Sequence, residues 1–156
     1  MSKIVTIQNP YQTSNRLRLI SLGLVLIGVL ISGYLSYAAL TNTVTICANE
    51  GSLDCEVVQN SVYAKFAGIP VAYLGLASYL VIGLILLFEN RVSLLANYGI
   101  ALNFAIVLFG FFFSMWLFYV QAVLLQSFCQ WCLLHELNFT ILFLISVVRL
   151  VLYLRS

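Results

Sequence analysis

Charged side chains are what this sequence has least of: Asp, Glu, Lys and Arg make up 8% of its 156 residues, where a soluble domain would carry roughly 25%. Hydrophobic residues make up 63%, and mean hydropathy is +1.06. An apolar excess of this size can be covered only by lipid. That excludes a water-soluble globular protein and leaves no room for an additional soluble domain. A net charge of +2, spread along the chain, excludes a nucleic-acid surface. The amino end also lacks the pattern of a cleaved signal peptide, in which a basic start runs straight into an apolar stretch and a small-residue cleavage site. Residues 1–18, with Gln8, Asn9, Gln12, Ser14 and Asn15, read instead as a short polar cytoplasmic tail. Cysteine is scarce too, at four residues. A bilayer protein needs no disulfide to hold its core, so the four ask for an explanation of their own.

What the chain does have is long apolar runs, and these predict an all-α integral membrane four-helix bundle over residues 19–156. About 20 residues cross the hydrocarbon core, and spans are expected at about 19–40, 69–88, 94–120 and 129–154. Gly23, Gly28 and Gly33 in the first span allow close helix approach. Pro70 belongs in the first turn of the second, where its missing N–H costs nothing. Glu89-Asn90-Arg91 forms a tight polar turn, and the third span is aromatic around Phe109-Gly110-Phe111-Phe112-Phe113. Between the first two spans lies the one extended polar stretch, with Glu50, Asp54, Glu56 and Lys65. There Asp54 can cap a short interfacial helix in which Cys55, Val58, Val62 and Phe66 share a face.

Cations set the orientation. Four crossings put Lys3, Arg16, Arg18, Arg91, Arg149 and Arg155 on one side and leave Lys65 on the other. By the positive-inside rule both termini are cytoplasmic. Cys47, Cys55, Cys129 and Cys132 then meet on the extracytoplasmic side of the cytoplasmic membrane, where disulfides persist.

Cys129-Gln130-Trp131-Cys132 opens the fourth span, with its two thiols one turn apart on the same side. The thiolate is the attacking species, and a helix amino terminus favours it. This spacing closes a small ring and suits reversible oxidation. Cys47 and Cys55 close a loop with Glu50, Gly51 and Asp54, flexible enough to move. Acidic Asp54 and Glu56 oppose thiolate formation at Cys55, while a helix start there favours it. A mobile pair beside a fixed pair suits electron relay from a soluble partner to the bilayer. Four cysteines allow three pairings, and spacing alone does not choose among them. His135 and Glu136, about one turn inside the fourth span, are candidate proton carriers at a quinone site. Phe111, Phe112 and Phe113 are candidates for its apolar wall. Trp116, Tyr119 and Trp131 read as aromatic-belt anchors.

These residues resemble the vitamin K epoxide reductase family in its prokaryotic form. The resemblance is carried by Cys47 and Cys55 with seven residues between them, Ser61 six positions after Cys55, the stretch Val62 to Pro70 leading into the second span, and Cys129-x-x-Cys132. It implies a four-helix bundle around a quinone near the outer surface. Cys132 would face the quinone, Cys129 would exchange with Cys55, and Cys47 with Cys55 would form the shuttle pair, with Ser61 hydrogen-bonding near the site. Animal members carry a tyrosine four residues after the second C-x-x-C cysteine, where Glu136 stands here. That departure takes support from vitamin K epoxide as a substrate and from warfarin-like inhibitors. Many prokaryotic relatives carry a fused thioredoxin-like domain; with none after Ser156, a separate thioredoxin-like partner is expected.

The expected activity is therefore that of a membrane thiol oxidase, passing electrons from a thioredoxin-like carrier to a ubiquinone- or menaquinone-type acceptor. A carrier with a potential near about −120 mV is recharged only by an acceptor at least as oxidising, and each ~30 mV shortfall costs about 1.4 kcal/mol. Quinones meet that demand and NAD-type acceptors do not. The other four-helix disulfide-generating oxidase has its C-x-x-C in the first outer loop, unlike this chain. Two alternatives from other classes are a thiolate metal-handling protein using all four cysteines and a structural membrane subunit with two stapled outer loops.

Overall fold

In a computed structural model, residues 10–43, 45–48 and 51–155 are described; Lys3, Gln8, Asn9, Glu50 and Ser156, named above, lie outside them. Four helices, α1 (Pro10–Thr41), α3 (Val71–Phe88), α4 (Ser93–Tyr119) and α5 (Gln130–Arg155), run up, down, up and down. All four are long and apolar enough to cross a membrane. Inside lipid a backbone must satisfy its own N–H and C=O groups, which is why such runs become helices. At 18 residues α3 is the shortest, and about 27 Å of helix nearly matches the hydrocarbon thickness of about 30 Å. α1 packs against α3 and α5, and α4 against the same two, closing a ring.

Helix ends differ from expectation in ways that local chemistry explains. α1 reaches back to Pro10, nine residues before Leu19, because no helix breaker separates the polar segment from the apolar run. Pro70 does not lie in the first turn of α3 but immediately before it, with its backbone extended. It ends a two-residue hairpin, β1 (Lys65–Phe66) against β2 (Ile69–Pro70), turned through Ala67 and Gly68 at positive φ. The third span goes past Tyr119 through a π-helical turn, Val120–Leu125.

Polar groups tie the ring together where helices meet. Asn138 donates to Leu24 O at 3.0 Å and to Tyr79 Oη at 2.9 Å, joining α5 to α1 and α3. Tyr79, Ile82, Leu86, Val107, Phe139 and Leu142 form the buried core. Of the three glycines of α1, only Gly28 serves a close approach: a side chain there would collide with the Tyr79 ring, whereas Gly23 and Gly33 face open space. At the end remote from the polar stretch, Glu89 accepts a 2.6 Å bond from buried Arg149, and Arg18 lies 3.9 Å away and donates to Leu86 O. Arg18 and Arg149, read from sequence only as topology markers, thus also hold that end of the bundle together.

Candidate functional site

The site is built at the end where α1 stops, α3 begins, α4 stops and α5 begins. Helix α2 (Cys55–Asn60) crosses it, and Asp54 caps that helix as expected, its Oδ1 accepting from Val57 N–H at 3.1 Å. Cys55 and Val58 face inward and are buried. The predicted shared face stops there. Ser61 takes an extended conformation, and its hydroxyl and N–H both bond back to Val58 O, at 2.8 and 3.4 Å, which ends the helix. Val62 is consequently 84% exposed and Phe66 57%, so neither continues the face.

Cys47 and Cys55 are joined by a disulfide, whereas Cys129 and Cys132 are free thiols. Cys55, Val58 and Cys129 form one buried cluster, with Cys47, Cys132, Trp131 and Leu125 packed on it. All four sulfurs are thereby gathered in one place. Backbone pairing explains how: Asp54 N–H bonds Phe128 O at 3.0 Å, and Phe128 N–H bonds Ser52 O at 2.9 Å. This short ladder registers Cys55 against Cys129, the residue following its Phe128 rung.

The two residues inside the C-x-x-C motif hold the Cys47 segment. Gln130 Oε1 accepts from Ala48 N–H at 3.3 Å, and Trp131 Nε1–H donates to Ile46 O at 2.8 Å. Ile46 N–H in turn bonds Tyr34 Oη, and the Tyr34 and Trp131 rings meet at 4.9 Å. Trp131 therefore clamps the disulfide loop, a contact that the expected belt position did not foresee. Gln59 bridges the two pairs, donating to Thr45 Oγ1 at 2.8 Å and to Cys129 Sγ at 3.7 Å. Gln121, in the π-helical turn, accepts from Cys129 N–H at 3.1 Å. Spacing could not reveal Gln59 or Gln121 as site residues, although a glutamine near the end of an apolar run is a usable signal.

Cys129 immediately precedes α5, and its carbonyl accepts the first helical bond there, from Leu133 N–H at 2.9 Å. Hydrogen bonding, first from the Cys132 thiol and then from the Cys132 N–H and the Gln59 amide, outweighs burial and brings the Cys129 thiol down from 9.0 to about 7. That is the direction expected at a helix start.

Behind the sulfurs lies a cavity of about 830 Å³, within the size range of small-molecule sites. Cys132, Ser61, His135 and Glu136 all contribute to its wall, as does Ser114, which donates a hydrogen bond to the Glu136 carboxylate. The expected aromatic wall is corrected. Phe111 stacks on Phe143 at 4.3 Å and packs on the core, and Phe112 is 65% exposed on the outer face. Of the three candidates only Phe113 lines the cavity, and Phe109, itself 76% exposed, borders it; successive residues of α4 turn by about 100°, so the helix register decides which ring points inward. Val81 and Phe109, both exposed toward lipid, mark a side of the cavity between α3 and α4. Its largely apolar surroundings with a few convergent polar groups are those of a small-molecule site.

Residues 19–147 of the chain match the model of the Vitamin K epoxide reductase family.

Proposed function

The chain belongs to the vitamin K epoxide reductase family, and from that premise we propose that it is a quinone-dependent thiol oxidase of the cytoplasmic membrane, serving a separate thioredoxin-like disulfide carrier. Both termini would be cytoplasmic and the sulfur cluster extracytoplasmic. The observation that carries the reading is the packing of the Cys47–Cys55 disulfide directly on the Cys129/Cys132 dithiol, with Cys132 also on the wall of the cavity.

In this scheme a carrier thiolate attacks the Cys47–Cys55 bond, the second carrier thiol displaces it, and the carrier leaves oxidised. Cys47 and Cys55 are then the dithiol. The Cys55 thiolate attacks Cys129 of a Cys129–Cys132 disulfide and releases Cys132 as thiolate. Cys47 next attacks Cys55, restores the first disulfide and frees Cys129. A bound quinone supplies the sink for two electrons and two protons as Cys129 and Cys132 close their disulfide. The chain's part is to hold Cys132 against the ring, to keep water out with an apolar wall, and to place Glu136, bonded to Ser114, where a proton can be received or given. A four-thiolate metal site is disfavoured by the Cys47–Cys55 bond, which leaves two thiols.

Purified protein should oxidise a reduced thioredoxin-like carrier continuously when a soluble quinone is supplied. Cys132→Ala should retain at most a single turnover of carrier oxidation, from the first disulfide, and lose quinone reduction. Sustained quinone reduction by Cys132→Ala would overturn the relay.

A further inference from the structure

Ser32, in the interior of α1, is fully buried, and its hydroxyl has no hydrogen-bond partner among the described residues. A serine inside a helix can donate back to the carbonyl four residues earlier, as Ser21 does to Leu17 O at 2.9 Å and Ser78 to Leu74 O at 2.8 Å. Ser32 forgoes that bond and lines the large cavity. His135 and Gly75 line the same wall. A Cβ on Gly75 would come within 3.0 Å of His135 Nε2 and 3.5 Å of Ser32 Oγ. The missing side chain therefore leaves both polar groups facing one point. The His135 ring is held from two sides, by Tyr79 at 5.4 Å and Phe139 at 6.0 Å between centroids, which fixes the direction of Nε2.

His135 follows Cys132 by three residues on one face of α5, about 4.5 Å farther along the axis. The scheme above uses Cys132 and the Ser114–Glu136 pair and leaves this deeper group without a task. We propose that Ser32 and His135, exposed to one another's point of approach by Gly75, form a second polar subsite that binds the oxygen of a para-quinone remote from Cys132. The proposal rests on the quinone reading and deepens it, by naming the residues that hold the ring's far oxygen. The serine hydroxyl suits both redox forms, because it can rotate to donate to a carbonyl or to accept from a hydroxyl.

The test measures binding and not turnover, with the full chain in detergent and all cysteines oxidised so that no electrons move. The probes are a short-tailed para-benzoquinone and a single-carbonyl analogue with the same substituents and tail. Binding is read by quenching of the fluorescence of Trp116 and Trp131 and by the ligand-induced rise in Tm. Wild type should favour the two-oxygen ring. Ser32→Ala should weaken that probe roughly three- to tenfold, leave the analogue unchanged, and keep or raise the Tm without ligand, since the lost hydroxyl bonds none of the described residues. Gly75→Ala, whose methyl fills the point of approach, should erase the preference as well. Equal binding of both probes by wild type, or unaltered binding by Ser32→Ala, would overturn the subsite while the quinone reading stands. Failure of wild type to bind either probe would overturn both.

Discussion

Cys129 shows how far single residues could be read in advance. Its lowered pKa is legible in the C-x-x-C spacing at the start of an apolar run, because a helix start supplies unpaired N–H groups whatever the rest of the fold does. Its surroundings are less so: Gln59 reaches Cys129 across 70 residues of sequence, and its neighbour Trp131 reaches Ile46 across 85. No local pattern encodes such contacts. In the dithiol state Cys129 should be neutral below and anionic above about pH 7. Gln59→Leu removes a donor to the thiolate and should move this midpoint upward. Cys132→Ala should move it further, because the Cys132 thiol is the larger donor. Thiolate ultraviolet absorbance against pH, corrected with Cys129→Ser, measures both; an unmoved midpoint in the two variants would contradict the hydrogen-bonding account.

At the level of elements, apolar run lengths placed the four spans, and what they could not place is how each helix ends. The π-helical turn lengthens α4 because nothing in Val120–Leu125 breaks a helix, and Gln126 then takes a left-handed conformation at φ 49 that stops it. The interfacial helix ends early because Ser61 satisfies Val58 O twice, a choice that helical spacing does not see. The Glu89 turn conceals most. Expected as a tight polar turn, it also supplies the acceptor for Arg149, which is only 2% exposed. Breaking such a buried pair strands a charge, at a cost of about 3–5 kcal/mol. Arg149→Met should therefore lower unfolding stability in detergent by about that amount. Exchange between carrier thiols and the Cys47–Cys55 disulfide, at the opposite end of the bundle, should continue at temperatures where the variant remains folded. Adding Glu89→Gln should recover part of the loss, because the stranded charge goes too. A loss of stability no larger than that of an exposed Arg→Met change would show that the pair holds nothing together.

For the molecule as a whole, four antiparallel helices divide the chemistry: sulfurs and the α2 cap at one end, the Arg18–Glu89–Arg149 cluster at the other. That division was the most legible property of the sequence, because span count and cation placement are both sums over many residues and tolerate errors at any one. The cavity was the least legible, since it arises only where α1, α3, α4 and α5 enclose a common space. The division has a consequence for sidedness. Exchange with an exported carrier requires the disulfide to face outward, and Cys47, half-buried, is more open than Cys55 or Cys129. In intact cells with a permeable outer layer, a membrane-impermeant maleimide applied after mild reduction should label Cys47 first. Inside-out vesicles should protect all four cysteines until detergent is added. Because the four sulfurs form one cluster, a split result, with Cys47 labelled from one side and Cys132 from the other, is incompatible with this fold. Labelling of the whole cluster only from inside-out vesicles would instead leave the fold standing and reverse the orientation, which would remove the exported carrier as the electron donor.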